Sequence, residues 1–503
     1  MMRIGNLLTS AALFALSTSM AHAQDLKIGL QDDPDILDPD QSRTFVGRIV
    51  YASLCDKLVD ITPDLEIVPA LATGWDWNAD GTELTMTLRD DVVFHDGTPF
   101  NADAVAANLD RSKNLETSRR KSEVRSIESW EVVDDTTIKM ALSAPDATLI
   151  AQFADRSGMM LSPTAFEAAG EDFGAAPVCA GPFKFVERIQ QDRIVLEKFA
   201  DYYRADEINF DSVTFLPIAD TTVRLANLRA GDLDMLERLA ATDVASVEAD
   251  SGLQLERATS LGYQGITANI ANGARADNPL GQSALVRQAL SLSIDRDALN
   301  QVVFEGAFAP GNQPFSPASP WYNADFPVPA RDVDAAKALL AEAGFADGIT
   351  IEVQVPNNPV QTQVMQVVQA MAAEAGITVE LAAKEFATLL ADQSAGEFTA
   401  SQIGWSGRVD PDGNIHPFMT SDGGLNDADY ANADVDRFLN EARLSTDPAV
   451  RKESYNAAVA VLQDDMPIVY LYHPVWIWAL DDSLSGFQAY PDGMIRLHGV
   501  SQN

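Results

Sequence analysis

Strict two-residue alternation over Glu83–Leu88, where Leu84, Met86 and Leu88 take turns with Glu83, Thr85 and Thr87, is the pattern that leaves this chain least freedom of fold. Successive side chains of an extended strand point to opposite faces, so the segment reads as a strand with one face buried. Asp80-Gly81 supplies the turn into it, Asp90-Asp91 breaks it, and a short apolar run, 92–94, follows. The loop His95-Asp96-Gly97-Thr98-Pro99 then leads to Asn101, a good N-cap for a helix carrying Val105 and Leu109 on one face. Residues 71–105 thus form a complete structural unit made of packing and turning groups, with no catalytic constellation.

That unit resembles the signature of bacterial extracellular solute-binding proteins of the peptide-binding family, the receptors of ABC importers for peptides, opines, nickel complexes and some sugars. FHDGTPFNADAV, 94–105, is close to the family pattern in residue type and spacing. AGPFKF at 180–185, VRQALSLSIDRDAL at 286–299, AAKALLAEAGF at 335–345 and GWSGRVDPDG at 404–413 fall in family order. The resemblance implies an α/β fold of two lobes, with an extra subdomain inserted in the first lobe and a ligand cleft between them. The implied division is 24–264 for the first lobe with its insertion at 58–178, 265–474 for the second, and 475–503 returning to the first. Hinges are expected near 262–269 and 473–480.

Ahead of this lies Arg3, an apolar stretch at 7–16 and Ala21-His22-Ala23, the pattern of a cleavable secretory signal over 1–23. No cysteine stands at the cleavage point, so no lipid anchor is indicated, and a periplasmic location is expected. A chain of 503 residues is too long for one core, which calls for at least two lobes. Asp and Glu number 74 against 35 Lys and Arg, a formal charge of -39. Such a surface repels nucleic acid and anionic lipid and argues against both as partners. Cys55 and Cys179 are the only cysteines, and in an exported chain a disulfide between them is expected.

The first half is rich in short strands. Residues 26–30 alternate, 127–142 reads as a hairpin about Asp134-Asp135, and 193–198 and 213–217 are further strands; 222–230 is a helix ended by Gly231. After Asn269 helices and strands alternate. Helices are expected at 286–294, after Asp295, at 333–343 and at 361–375, with strands at 349–355 and 377–381, which implies a partly parallel sheet. Strands at 468–472 and 475–479 are available to return to the first lobe.

Groups for catalysis are sparse. His95, His416, His473 and His498 are scattered with no zinc-binding pair, and no nucleophile elbow, phosphate loop or C-x-x-C occurs. No enzyme activity, cofactor or metal is expected, and a turn is expected at Asp410-Pro411-Asp412-Gly413. The strongest binding candidates are Trp405 and Arg408, placed on a loop after a strand at 398–403, with Asp410 beside them. The indole offers a flat wall and the guanidinium a fork for a carboxylate. Dipeptide-binding relatives of the resembled family carry an aspartate near the position of Arg408, where it receives the ligand's amine. The arginine favours an anionic group there instead.

Arg43 and Thr44 follow the acidic segment after the first strand, and Arg43 is a second candidate anion clamp. Arg156 with Met159, and Tyr263 and Asn269 at the first crossover, complete the candidate site. The expected function is capture of a small peptide-like solute, bearing a carboxylate, by a monomeric receptor that delivers it to an inner-membrane ABC permease. A secreted hydrolase of peptide-like substrates, or a receptor for an opine, sugar or metal chelate, are the alternatives.

Overall fold

The computed structural model describes residues 24–317 and 319–503, and the expected leader at 1–23 lies outside the described residues. Two large sheets carry the architecture. The first runs from edge to edge through Leu253–Thr259, Val475–Asp481, Met235–Leu236, Asp25–Leu30, Ser212–Pro217, Arg193–Lys198 and Phe183–Ile189. Its central strand, Asp25–Leu30, is parallel to both neighbours, with Gly29 opposite Leu236 on one side and Leu216 on the other. Leu26, Ile28 and Leu30 are fully buried, as their alternation requires.

The second sheet runs through Ala309–Pro310, Ile468–His473, Tyr263–Ala268, Ala400–Trp405, Ile349–Pro356 and Ile377–Lys384. Its last two strands are parallel and joined by the helix Pro359–Glu374, so the lobe is α/β as expected. The helix starts at Asn358, whose side chain caps Gln361 N. It ends before Gly376, whose φ of 88° is left-handed backbone that glycine takes without strain.

A third, antiparallel sheet is inserted after the first lobe's opening helix, in the order Ala72–Trp77, Glu83–Leu88, Thr137–Leu142, Ile127–Asp134. Leu84, Met86 and Leu88 face its core. Cys55 and Cys179 are disulfide-bonded, as expected, at the neck of this insertion.

The chain leaves the first sheet after Thr259, enters the second at Tyr263, and returns between His473 and Val475. Of the two C-terminal strands expected to return, only Val475–Asp481 does so, because Ile468–His473 pairs with Tyr263–Ala268 inside the second sheet. The two crossings touch: His473 Nδ1 lies 2.8 Å from Gly262 O. Gly262 is required by close approach, since a Cβ there would fall 1.8 Å from Trp405 O.

Candidate ligand-binding cleft

A cavity opens between the two large sheets, lined from the first lobe by Gln31, Asp32, Phe45 and Arg238 and from the second by Gln264, Gln361, Gly404 and Trp405. Its first-lobe groups are placed by strand direction. Asp25–Leu30 and Met235–Leu236 are adjacent and parallel, so the segments leaving their carboxyl ends, Gln31-Asp32 and Glu237-Arg238, emerge side by side at the crest where α/β sheets hold ligands.

Arg238 is held with some force. Its backbone is left-handed, φ 53°, an uncommon state for a residue with a Cβ. Buried Arg224 donates to Arg238 O at 3.1 Å, and Leu239 N donates to Ile477 O at 2.9 Å, which fixes the bend. The guanidinium lies 4.7 Å from the Phe45 ring centre and 5.0 Å from that of Trp476, rings that are themselves stacked at 4.6 Å. Its one ion pair is with Glu237, at 3.3 Å, and it donates no hydrogen bond among the described residues.

The remaining candidates are placed as follows. Trp405 lines the cavity, donates from Nε1 to Asn414 Oδ1 at 3.0 Å and meets the edge of Phe418. It closes the strand Ala400–Trp405 instead of standing on the loop beyond it. That strand is parallel to Ile349–Pro356 over a short register and antiparallel to Tyr263–Ala268 along its whole length. With the strand beginning and ending two residues later than expected, Arg408 turns back beneath the indole, 4.1 Å from its centre, and is only 8 % exposed. Its charge is taken by Asp155 at 2.5 Å, so the structure points Arg408 away from the cavity.

Asp410 is likewise spent, on Arg451 at 2.5 Å. The expected turn there runs straight into a helix, Asp412–Met419.

Arg43 does line the cavity, but it is consumed by Asp427, by Leu390 O at 3.1 Å and by Ser394 Oγ at 2.5 Å. Thr44 is a helix cap: its Oγ1 accepts from Gly47 N and donates to Asp35 at 2.8 Å. Arg156 is buried and donates to Thr44 O at 2.5 Å, while Met159 is core. Tyr263 packs edge-on to Tyr470 at 4.8 Å in a smaller cavity behind the cleft. Asn269 is fully buried, and its Nδ2 bonds Phe398 O at 2.8 Å and Asn272 O at 2.9 Å, tying loops together. Thus Trp405 and Arg43 meet at the cavity, and the other named side chains build its surroundings.

Asp32 and Arg238 were absent from the sequence-based candidates. The available signal was topological: each follows a strand whose carboxyl end faces the second lobe.

Two sheet-based lobes with a crevice walled by both, entered through paired crossovers, define a solute receptor that encloses its ligand. The model of bacterial extracellular solute-binding proteins, family 5 (middle), matches residues 66–426. The chain belongs to that family, and is a solute-binding protein of an ABC importer.

It is 30% identical over 487 residues to a glutathione-binding protein, GsiB, of Pectobacterium atrosepticum, covering 93% of this chain and 92% of that protein. The binding protein AgaA of A. tumefaciens R10, solved with agropinic acid, superposes with a TM-score of 0.85 at 26% identity, covering 95% of this chain and 99% of that one. A dipeptide-binding protein of Pseudoalteromonas sp. SM9913, solved with Met-Leu, shares the fold with a TM-score of 0.88 at 23% identity, covering 95% and 100%. No helix among the described residues is long and apolar enough to cross a membrane.

Proposed function

We propose that this receptor captures a small peptide-like solute bearing a carboxylate, and that it binds without turnover. The observation that carries the reading is Arg238, a guanidinium braced by two aromatic faces and held in a left-handed bend at the cleft, whose one partner among the described residues is the 3.3 Å ion pair with Glu237. A planar fork of donors matches a carboxylate. Left-handed backbone at a non-glycine residue is the kind of strain that collects at ligand sites. Gln264 and Gln361 face it from the second lobe and can bond a ligand amide from that side. The relatives that bind glutathione and agropinic acid support an amino-acid conjugate as the class of cargo.

In this reading the lobes 24–264 and 265–474 move about the two crossovers, and the protein reaches the periplasm with residues 1–23 removed. Arg238→Gln keeps the stack and removes the charge. It is expected to weaken glutathione or dipeptide binding about 10- to 100-fold, the worth of a charge-assisted hydrogen bond. Titration calorimetry reads this directly. Carboxamide-capped peptides should lose little from the same substitution. Unchanged affinity for the uncapped peptides would remove the carboxylate from this position. Mass spectrometry of the small molecule that co-purifies identifies the cargo, and product formation on incubation would overturn binding without turnover.

A further inference from the structure

Five aspartates crowd the segment after the first strand, and four of them have partners. Asp33 pairs with Arg188 at 2.8 Å, Asp35 accepts from Ser42, Arg43 N and Thr44, and Asp38 and Asp40 both hold Arg111. Asp32 differs. It lines the cleft, accepts one 3.2 Å bond from Gln31 Nε2, and makes no ion pair among the described residues.

The charged residues lining the cavity are Asp32, Arg43 and Arg238, and Arg43 is spent on Asp427. Asp32 and Arg238 are therefore left as an acid and a base on adjoining crest segments, close enough to influence one another without touching.

We infer that Asp32 receives a ligand ammonium group while Arg238 takes a carboxylate, so that the cleft selects solutes carrying both charges, such as peptides or amino-acid conjugates with a free amine. The inference rests on the carboxylate reading of Arg238 above and adds the second half of the recognition.

Charge balance favours it. The groups gathered here are Arg224 and Arg238 against Glu237 and Asp32, a neutral set, and a zwitterion leaves it neutral where an anion alone would not. Buried Glu237 is already engaged, by Gln31 N at 2.7 Å and by Arg238. The polar second-lobe groups lining the cavity, Gln264, Asn358, Gln361 and Ser406, are uncharged and cannot neutralise Asp32 in place of a ligand. Burial raises the Asp32 pKa to about 6 against the pull of Arg238, with Glu237 adding to the rise and Arg224 opposing it. A carboxyl in that condition gains from an incoming cation.

The test uses the full chain with glutathione and Ala-Ala, each free and N-acetylated, titrated against the wild type, Asp32→Asn and Asp32→Glu. In the wild type the acetyl cap is expected to weaken binding about tenfold or more, the loss of one charge-assisted bond. Asp32→Asn should weaken the free-amine forms by a similar factor, leave the capped forms unchanged and abolish the preference. Asp32→Glu, which keeps the charge, should retain the preference. Free-amine binding to the wild type should also decline as pH is lowered through about 6, as protonation removes the acceptor, and Asp32→Asn should lose that dependence. Equal binding of capped and free forms by the wild type, or a cap preference intact in Asp32→Asn, would overturn this inference and leave the peptide-like reading standing. Failure of all four probes to bind the wild type would overturn both.

Discussion

Replacing Cys55 and Cys179 together by serine is expected to lower stability by about 4–5 kcal/mol, the loop-closure value for a bridge of this span. The sulfurs join residues 124 apart in sequence, and the inserted four-stranded sheet lies between them. The disulfide therefore clamps the neck of the insertion. Beside it the two ends of the insert are held by Leu58 N to Gly158 O at 2.8 Å, Met160 N to Asp56 O at 3.0 Å and Gly181 N to Leu54 O at 2.9 Å.

Without the bridge, those hydrogen bonds and the packing of the buried pair into the first-lobe core must close the loop alone. For a first lobe of this size the loss corresponds to a fall in Tm of roughly 10 °C. Calorimetric scans of the reduced and oxidised protein, and of the double serine variant, measure it. Hydrogen exchange should place the loosening at 58–178. A variant melting with the wild type would show that the neck is closed by its hydrogen bonds and packing alone.

The same insertion shows why some of the fold was legible in the sequence and some was not. Glu83–Leu88 and the helix Thr221–Ala230 are written in local terms: a two-residue period, an Asp220 cap and a Gly231 with φ of 79°. The helices and parallel strands of the second lobe are equally local, and the side chains of Asp295, Asp332 and Asn358 each accept a backbone N–H from the first turn they cap.

Met235–Leu236 is two residues long and has no period at all. It is a strand because Asp25–Leu30 and Val475–Asp481, each more than two hundred residues away, lie on either side of it. Arg238, which follows it, was hidden for that reason. Charge partners were hidden too. Asp410 and Asp412 stand two and four residues from Arg408, yet they take Arg451 and Arg443, and Arg408 goes to Asp155 across the lobes. Sequence shows which groups need partners, while tertiary structure decides between several partners of equal chemistry.

That choice makes Asp155 the site of the other large effect. Asp155→Ala is expected to destabilise the closed protein by about 3–5 kcal/mol, the usual penalty for leaving a buried charge unpaired. Asp155 is 4 % exposed and is held by Arg48 at 2.7 Å and Arg408 at 2.5 Å, with its own helix-turn closed by Arg156 N at 2.7 Å. Removing one carboxylate strands two guanidinium groups beside a third, that of Arg156, whose Nε and Nη1 already lack acceptors among the described residues.

Burial alone would raise the Asp155 pKa, but Arg408, Arg48 and Arg156 overrule it and hold the carboxyl below the usual range. The folded pKa being depressed, the group's contribution is complete above the unfolded value of about 4 and is lost as pH falls below it. Asp155→Ala should therefore flatten the acid limb of the stability curve as well as lower its plateau.

Part of the penalty belongs to closure. Arg408 comes from the second lobe, and Arg48 donates across the gap to Ser406 Oγ at 3.0 Å, so opening the cleft separates these groups. The ion pairs Arg43–Asp427 and Arg125–Asp422 span the same gap nearer the surface. Ligand affinity includes the free energy of closing, so the variant should bind more weakly although Asp155 does not line the cavity. Scattering in solution should show a larger fraction of open molecules. In a double-mutant cycle, Asp155→Ala and Arg408→Ala should be strongly non-additive in both melting and affinity. Additivity in affinity alone would assign the pair to stability and leave closure to the Arg43–Asp427 and Arg125–Asp422 pairs.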